Sequence, residues 1–168
     1  MHVCRRWRQV IFESPHRLNL QILCTQKTSV KDNLFIWPTL PIVIKYINTK
    51  KNPRPERVGD VIAALQQVNR VCHVELNVSK SMFEKMVPLM LEPFPQLTHI
   101  DISPEPATDG SMGVLPGRFL GGSAPRLQEI SFDNLSFPSL STFLLSTSNL
   151  ISLTFPAYHR LVTLHPRL

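Results

Sequence analysis

The segment Leu97-Thr98-His99-Ile100-Asp101-Ile102 decides the fold, because its pattern returns three more times. It appears as Val71-Cys72-His73-Val74-Glu75-Leu76, as Leu127-Gln128-Glu129-Ile130-Ser131-Phe132, and as Leu150-Ile151-Ser152-Leu153-Thr154-Phe155. Successive starts are separated by 26, 30 and 23 residues. Side chains alternate along an extended chain, so positions four and six of each copy share one face and positions three and five share the other. The first pair is apolar throughout, whereas the second is polar throughout. The apolar residue at position one turns the chain inward just ahead of the strand. Each unit then returns through a helix or loop that covers its apolar face. A unit of this size cannot bury that face alone, so the copies must stack.

The steps lie in or just outside the roughly 20–29 residues of leucine-rich repeats. The predicted fold is therefore α/β, an irregular leucine-rich-repeat solenoid of short parallel strands alternating with helices. An ordinary α/β domain with four short buried strands shares this layout. The asparagine or cysteine that follows the strand in regular repeats is met only near Asn77 and Asn134, so the repeats are degenerate. The intervening segments fit the stack. Val58, Val61, Ile62, Leu65 and Val68 recur at helical spacing before the first copy. Ser79 or Ser81 is placed to cap a second helix bearing Met82, Phe83, Met86, Val87 and Met90, which Pro88 should shorten or kink. A third helix starts near Pro138 with Leu140, Phe143 and Leu144, and Leu115–Leu120 reads as one short helical turn before Gly121-Gly122. Two weaker strands precede these, at 18–23 and 41–47, and would bring the sheet to about six strands. Residues 48–57 are polar, basic and proline-bearing, which predicts an exposed loop.

The 168-residue chain is 43% apolar and 18% charged, a globular composition. Fifteen prolines against six glycines imply many short elements joined by stiff turns. No apolar run reaches the roughly 20 residues that span a bilayer, and no signal core follows the basic start. Three isolated cysteines, Cys4, Cys24 and Cys72, argue against a disulfide framework and for a reducing cytosolic or nuclear compartment. The net charge of +6 is concentrated at the start: residues 1–60 carry 11 Lys/Arg against 4 Asp/Glu, and the remaining 108 carry 7 against 8. A solvated basic surface is the simplest account, and nucleic-acid binding is the sharper alternative.

Residues 1–17 differ in character. Val3, Trp7, Val10 and Ile11 fall on one helical face, and Glu13-Ser14-Pro15 ends the helix. The run from Val3 to Leu20 resembles the closing stretch of an F-box, which typically ends in a V-C-R-x-W-R helix, a short S-P turn and a first strand. The rest resembles the repeat region of fungal F-box-like proteins. Trp37-Pro38-Thr39-Leu40-Pro41, then Val71–Leu76, then Leu120–Ile130 match that region's motifs in order. The resemblance covers nearly the whole chain and divides it into an F-box remnant at 1–17 and a degenerate repeat region at 18–168. It implies that Val3, Cys4 and Trp7 belong to the F-box core and partly face a Skp-type adaptor. The leading L-P-x-E/D-x-L portion does not precede Met1, so adaptor docking is expected only where a full F-box is present.

Catalytic and ligand motifs are sparse. The six histidines form no H-E-x-x-H arrangement, no Cys-x-x-Cys pair occurs, and Gly121-Gly122-Ser123 lacks the lysine of a phosphate loop. No cofactor and no metal site are expected. His73, Glu75, His99, Asp101, Glu129, Ser131, Ser152 and Thr154 occupy positions three and five of the four copies. In a solenoid these line the concave binding surface, although plain solvation of a sheet face would use the same residues. The expected function is non-catalytic protein recognition. By resemblance the chain would be the substrate receptor of a Skp–cullin–F-box ubiquitin ligase, with a protein substrate as partner. The alternative is a free-standing repeat scaffold.

Overall fold

The computed structural model describes residues 5–13, 20–37, 40–47, 55–105 and 111–155. Helix α1 (Arg5–Glu13) ends where Ser14 and Pro15 follow. Then come β1 (Ile22–Thr25), α2 (Lys31–Ile36), β2 (Ile42–Ile47), α3 (Pro55–Leu65) and β3 (Val71–Val78). Helix α4 (Lys80–Met86) runs into a 3-10 turn, Val87–Met90, where Pro88 removes a backbone donor. The chain continues through β4 (His99–Pro104), β5 (Gly113–Val114), β6 (Glu129–Phe132), β7 (Leu135–Ser136), α5 (Leu140–Leu144) and β8 (Ser152–Thr154).

The fold is mixed α/β. Six strands form one sheet in the order β1-β2-β3-β4-β6-β8, and every pair is parallel. Parallel neighbours require a crossover, and the helices and turns supply it. All four copies of the strand pattern join this sheet, along with the two earlier strands. The first begins later than its apolar residues indicate, at Ile22, because its register is set by pairing Ile22 with Ile42. Of the predicted loop, residues 48–54 lie outside the described residues, and 55–57 open α3 instead. Proline suits a first helical turn, where its missing donor has no partner to lose. Val3 and Cys4 also lie outside the described residues, and Trp7 falls within α1.

The core lies on one face of the sheet. Ile42, Ile44, Tyr46, Val74, Leu76, Val78, Ile100, Ile102, Ile130 and Phe132 are all buried there. Helix α3 packs on β1 and β2 and contributes Val61, Ala64 and Leu65, while α4 contributes Met82, Phe83 and Met86. Position one of three copies, Val71, Leu97 and Leu127, is fully buried. A tight turn sets each of the last two: Leu97 N–H donates to the Phe94 carbonyl, and Leu127 N–H to that of Ala124. Pro95 and Pro125 follow those acceptors and pre-set the turn. Farther along, Phe119 meets Phe132 and Phe137 edge-on, with ring centroids 5.9 and 5.8 Å apart. A two-stranded parallel pair of β5 and β7 lies outside the main sheet, an element with too few residues to show a sequence period.

Arg70 ties the first turns together. Its guanidinium donates to the carbonyls of Leu40 at 3.1 Å, Leu34 at 3.3 Å and Trp37 at 2.6 Å. It thereby satisfies acceptors left open where α2 ends. Arg70→Lys keeps the charge but loses the planar fork. It should cost about 1–3 kcal/mol in urea unfolding, since buried carbonyls lose their donors. Phe119→Ala empties the centre of the aromatic cluster and should cost about 3–5 kcal/mol in the same measurement.

Candidate functional site

The opposite face of the sheet is polar across β3, β4, β6 and β8, and its order follows from register alone. Val43, His73, His99, Glu129 and Ser152 form one row across β2, β3, β4, β6 and β8. Lys45, Glu75, Asp101, Ser131 and Thr154 form the next. Neighbours within a row stand about 4.8 Å apart across the strands. All eight residues at positions three and five therefore meet on one surface, where they line a shallow cavity of about 290 Å³. The sequence reading left out Lys45, which belongs to a strand with a weaker pattern. The alternation Ile44-Lys45-Tyr46 carries the signal that places it here.

A bulge in the β2–β3 ladder brings this register about. Ile42 pairs with Val71 but Val43 pairs with His73, so Cys72 is the extra residue. Its thiol donates to the Ile42 carbonyl at 3.4 Å, and partial burial raises its pKa. It is a structural thiol and takes no part in the face.

Three contacts organise the charges. Lys45 Nζ lies 3.0 Å from Glu75 Oε2. His73 Nε2 lies 3.8 Å from that same oxygen, and His99 Nε2 lies 3.4 Å from Glu129 Oε1. The two imidazoles stack, with centroids 5.3 Å apart and planes 26° from parallel. Thr98 fixes one of them. Its hydroxyl donates its single proton to the Cys72 carbonyl at 2.9 Å and lies 2.7 Å from His99 Nδ1. That contact holds the ring with Nε2 turned toward Glu129.

Asp101 stands beside Glu75 in register, like charge beside like. Partial desolvation by the trough walls raises its pKa above the ordinary 3.8. The Glu75 carboxylate raises it further, a hydrogen bond with Ser131 opposes the rise, and Asp133 adds to it. For His73, burial lowers the pKa from the ordinary 6.5. Lys45 and His99 push the same way, and Glu75 opposes them. Among the described residues, no group of three or more His, Cys, Asp or Glu is arranged to hold a metal ion, and no helix is long and apolar enough to cross a membrane.

These shifts fix the signs of a pH response. A raised carboxyl pKa means that the folded chain holds its proton longer. Stability therefore declines as pH rises from the ordinary carboxylate value through the folded one. Asp101→Asn should raise the melting temperature near neutral pH, by the equivalent of roughly 0.2–1 kcal/mol for one like-charged cross-strand pair, with no gain below the carboxylate range. A lowered imidazole pKa acts in the opposite direction. Its stabilisation is present above the ordinary value of 6.5 and is lost as pH falls through the folded one. His73→Asn should flatten the melting temperature across that acidic window.

Comparison of the chain with protein-family models, with curated proteins and with solved structures finds no match. What the trough does must be argued from its own residues.

Proposed function

We propose that this chain is a non-catalytic recognition module, a degenerate leucine-rich-repeat solenoid whose polar strand face receives a partner protein. The observation that carries the reading is the pair of polar rows across β3, β4, β6 and β8, one of them extended to β2 by Lys45, in register with an apolar opposite face. Plain solvation needs polar side chains there but needs no in-register pairing of like charges or stacked imidazoles. Strand order that follows chain order supports a stack in which each unit touches only its neighbours. The acidic character of the face disfavours phosphate and so directs the reading toward protein rather than nucleic acid.

The resemblance of residues 1–17 to the end of an F-box extends the proposal to a ligase receptor. In that role the module makes no bond itself. It raises the concentration of a bound protein near a ligase that acts elsewhere.

Two measurements test the two halves of this reading. Co-precipitation with a purified Skp-type adaptor should succeed for the chain carrying a complete F-box ahead of residue 1, and failure of that version removes the ligase role. Proximity labelling in cells, with the native chain against Ser131→Trp, should give different labelled proteins, because the indole fills the centre of the trough. Identical labelling would remove the strand face as the recognition surface.

A further inference from the structure

We infer that the trough takes an extended cationic segment of its partner, with Lys or Arg side chains set against Glu75, Asp101 and Glu129, and that a proton on His73 weakens its hold. The inference rests on the reading of this face as a recognition surface and names what that surface recognises.

Charge complementarity is the first argument. The whole chain carries a net charge of +6, yet three carboxylates and one ammonium face the trough. The ammonium of Lys45 is already held by Glu75 at 3.0 Å. Asp101 has no cationic partner among the described residues, and it stands between Glu75 and the nearby Asp133. Like charges in register cost a sheet stability, and a cation from outside relieves that cost on arrival. Ser131 and Thr154, and Ser152 beside Glu129, give hydroxyl partners at the open end of the rows for an extended backbone.

The imidazoles supply the second argument. Among the described residues, the ionisable groups beside the rings are Lys45 on β2, Glu75 on β3, Asp101 on β4 and Glu129 on β6. Each ring presents Nε2 to a carboxylate. A proton on His73 places a positive charge 3.8 Å from Glu75 Oε2. It turns three carboxylates against one cation into three against two. The field that attracts a cationic side chain is then weakened from within, by a ring that occupies one of its carboxylates. Protonation of Asp101 in the same direction of pH only adds to the loss.

The test is fluorescence anisotropy on the full chain, at constant ionic strength, with a fluorescein-labelled nonapeptide of alternating lysine and serine. The same peptide with glutamate for lysine is the control. The lysine peptide should bind near neutral pH and the glutamate peptide should not. Overall charge would produce the reverse, so non-specific attraction cannot imitate the result. Affinity should fall about fivefold as the pH drops below 6.5, the ordinary imidazole value from which burial displaces His73 downward. Asp101→Asn should weaken binding about fivefold or more, as expected for loss of one close charge partner, while the fold melts no lower than the native one. The variant His73→Asn should lose less affinity than the native chain over the same pH range. Preference for the glutamate peptide, indifference to Asp101→Asn, or an unchanged pH response in His73→Asn overturns the inference. If the lysine peptide fails while Ser131→Trp still alters the labelled partners, the recognition surface stands and its cationic occupant falls. If both fail, the surface reading falls as well.

Discussion

The pairing of β3 with β4 is the constraint on which the rest of the molecule depends. Six consecutive partners, from His73 with His99 to Val78 with Pro104, fix two faces at once. Val74, Leu76, Ile100 and Ile102 enter the core, and the residues between them cannot follow. A slip of one residue would bury Glu75 and Asp101 and expose the core pairs, so the apolar pattern holds the polar pattern in register. The trough is a consequence of burial on the other side. Thr98 reinforces the register at its start: both its backbone N–H and its hydroxyl donate to the Cys72 carbonyl at 2.9 Å.

The magnitudes explain how a face with poor internal electrostatics persists. Full burial of one Val, Leu, Ile or Phe side chain contributes about 1.5–3 kcal/mol. A like-charged pair across strands opposes folding by a fraction of that, roughly 0.2–1 kcal/mol. Four such core residues on β3 and β4 outweigh the Glu75–Asp101 pair many times over. Lys45 offsets part of the remainder, but only for Glu75, because its amine sits against that carboxylate. The sheet is stable enough to hold an arrangement of charge that contributes nothing to it. Departures of this kind from local consistency fit the proposed recognition role.

The strands and the residues of the trough were legible in the sequence because period-two alternation is written locally. Val71, Leu97, Leu127 and Leu150 announce β3, β4, β6 and β8, and positions three and five of each copy give the face directly. What was not legible depends on partners distant in sequence. The strand read at 18–23 is found at Ile22–Thr25, since Ile22 pairs in register with Ile42 and donates its N–H to the Pro41 carbonyl, and no local feature states that. The bulge at Cys72 was equally silent, as two versus one is a property of a pair of strands. The turn after Phe119 was placed roughly but not shaped: Leu120 takes φ 52°, a left-handed conformation that bulky side chains rarely adopt, followed by Gly121 at φ 67°. Gly121 has no such strain, and a Cβ there would meet Pro93 at 2.7 Å.

The same dependence on neighbours sets where the trough is firm. Ile130 and Phe132 on β6 are each 1% exposed, whereas their counterparts on β8, Leu153 and Phe155, are 42% and 36% exposed. Phe155 still meets Phe132 edge-on at 5.8 Å, and Ile151 and Ser152 N–H both donate to the Gln128 carbonyl. These contacts hold β8 from one side only among the described residues. Opening energies follow buried apolar contact, so β8 is the strand least strongly held in the sheet. Ser152 and Thr154 therefore form the yielding end of the trough, and the imidazole and carboxylate rows on β3 and β4 form its fixed end. Under the proposed recognition role, a ligand group that must meet carboxylates in one geometry belongs at the fixed end. A peptide backbone that tolerates adjustment belongs at the other.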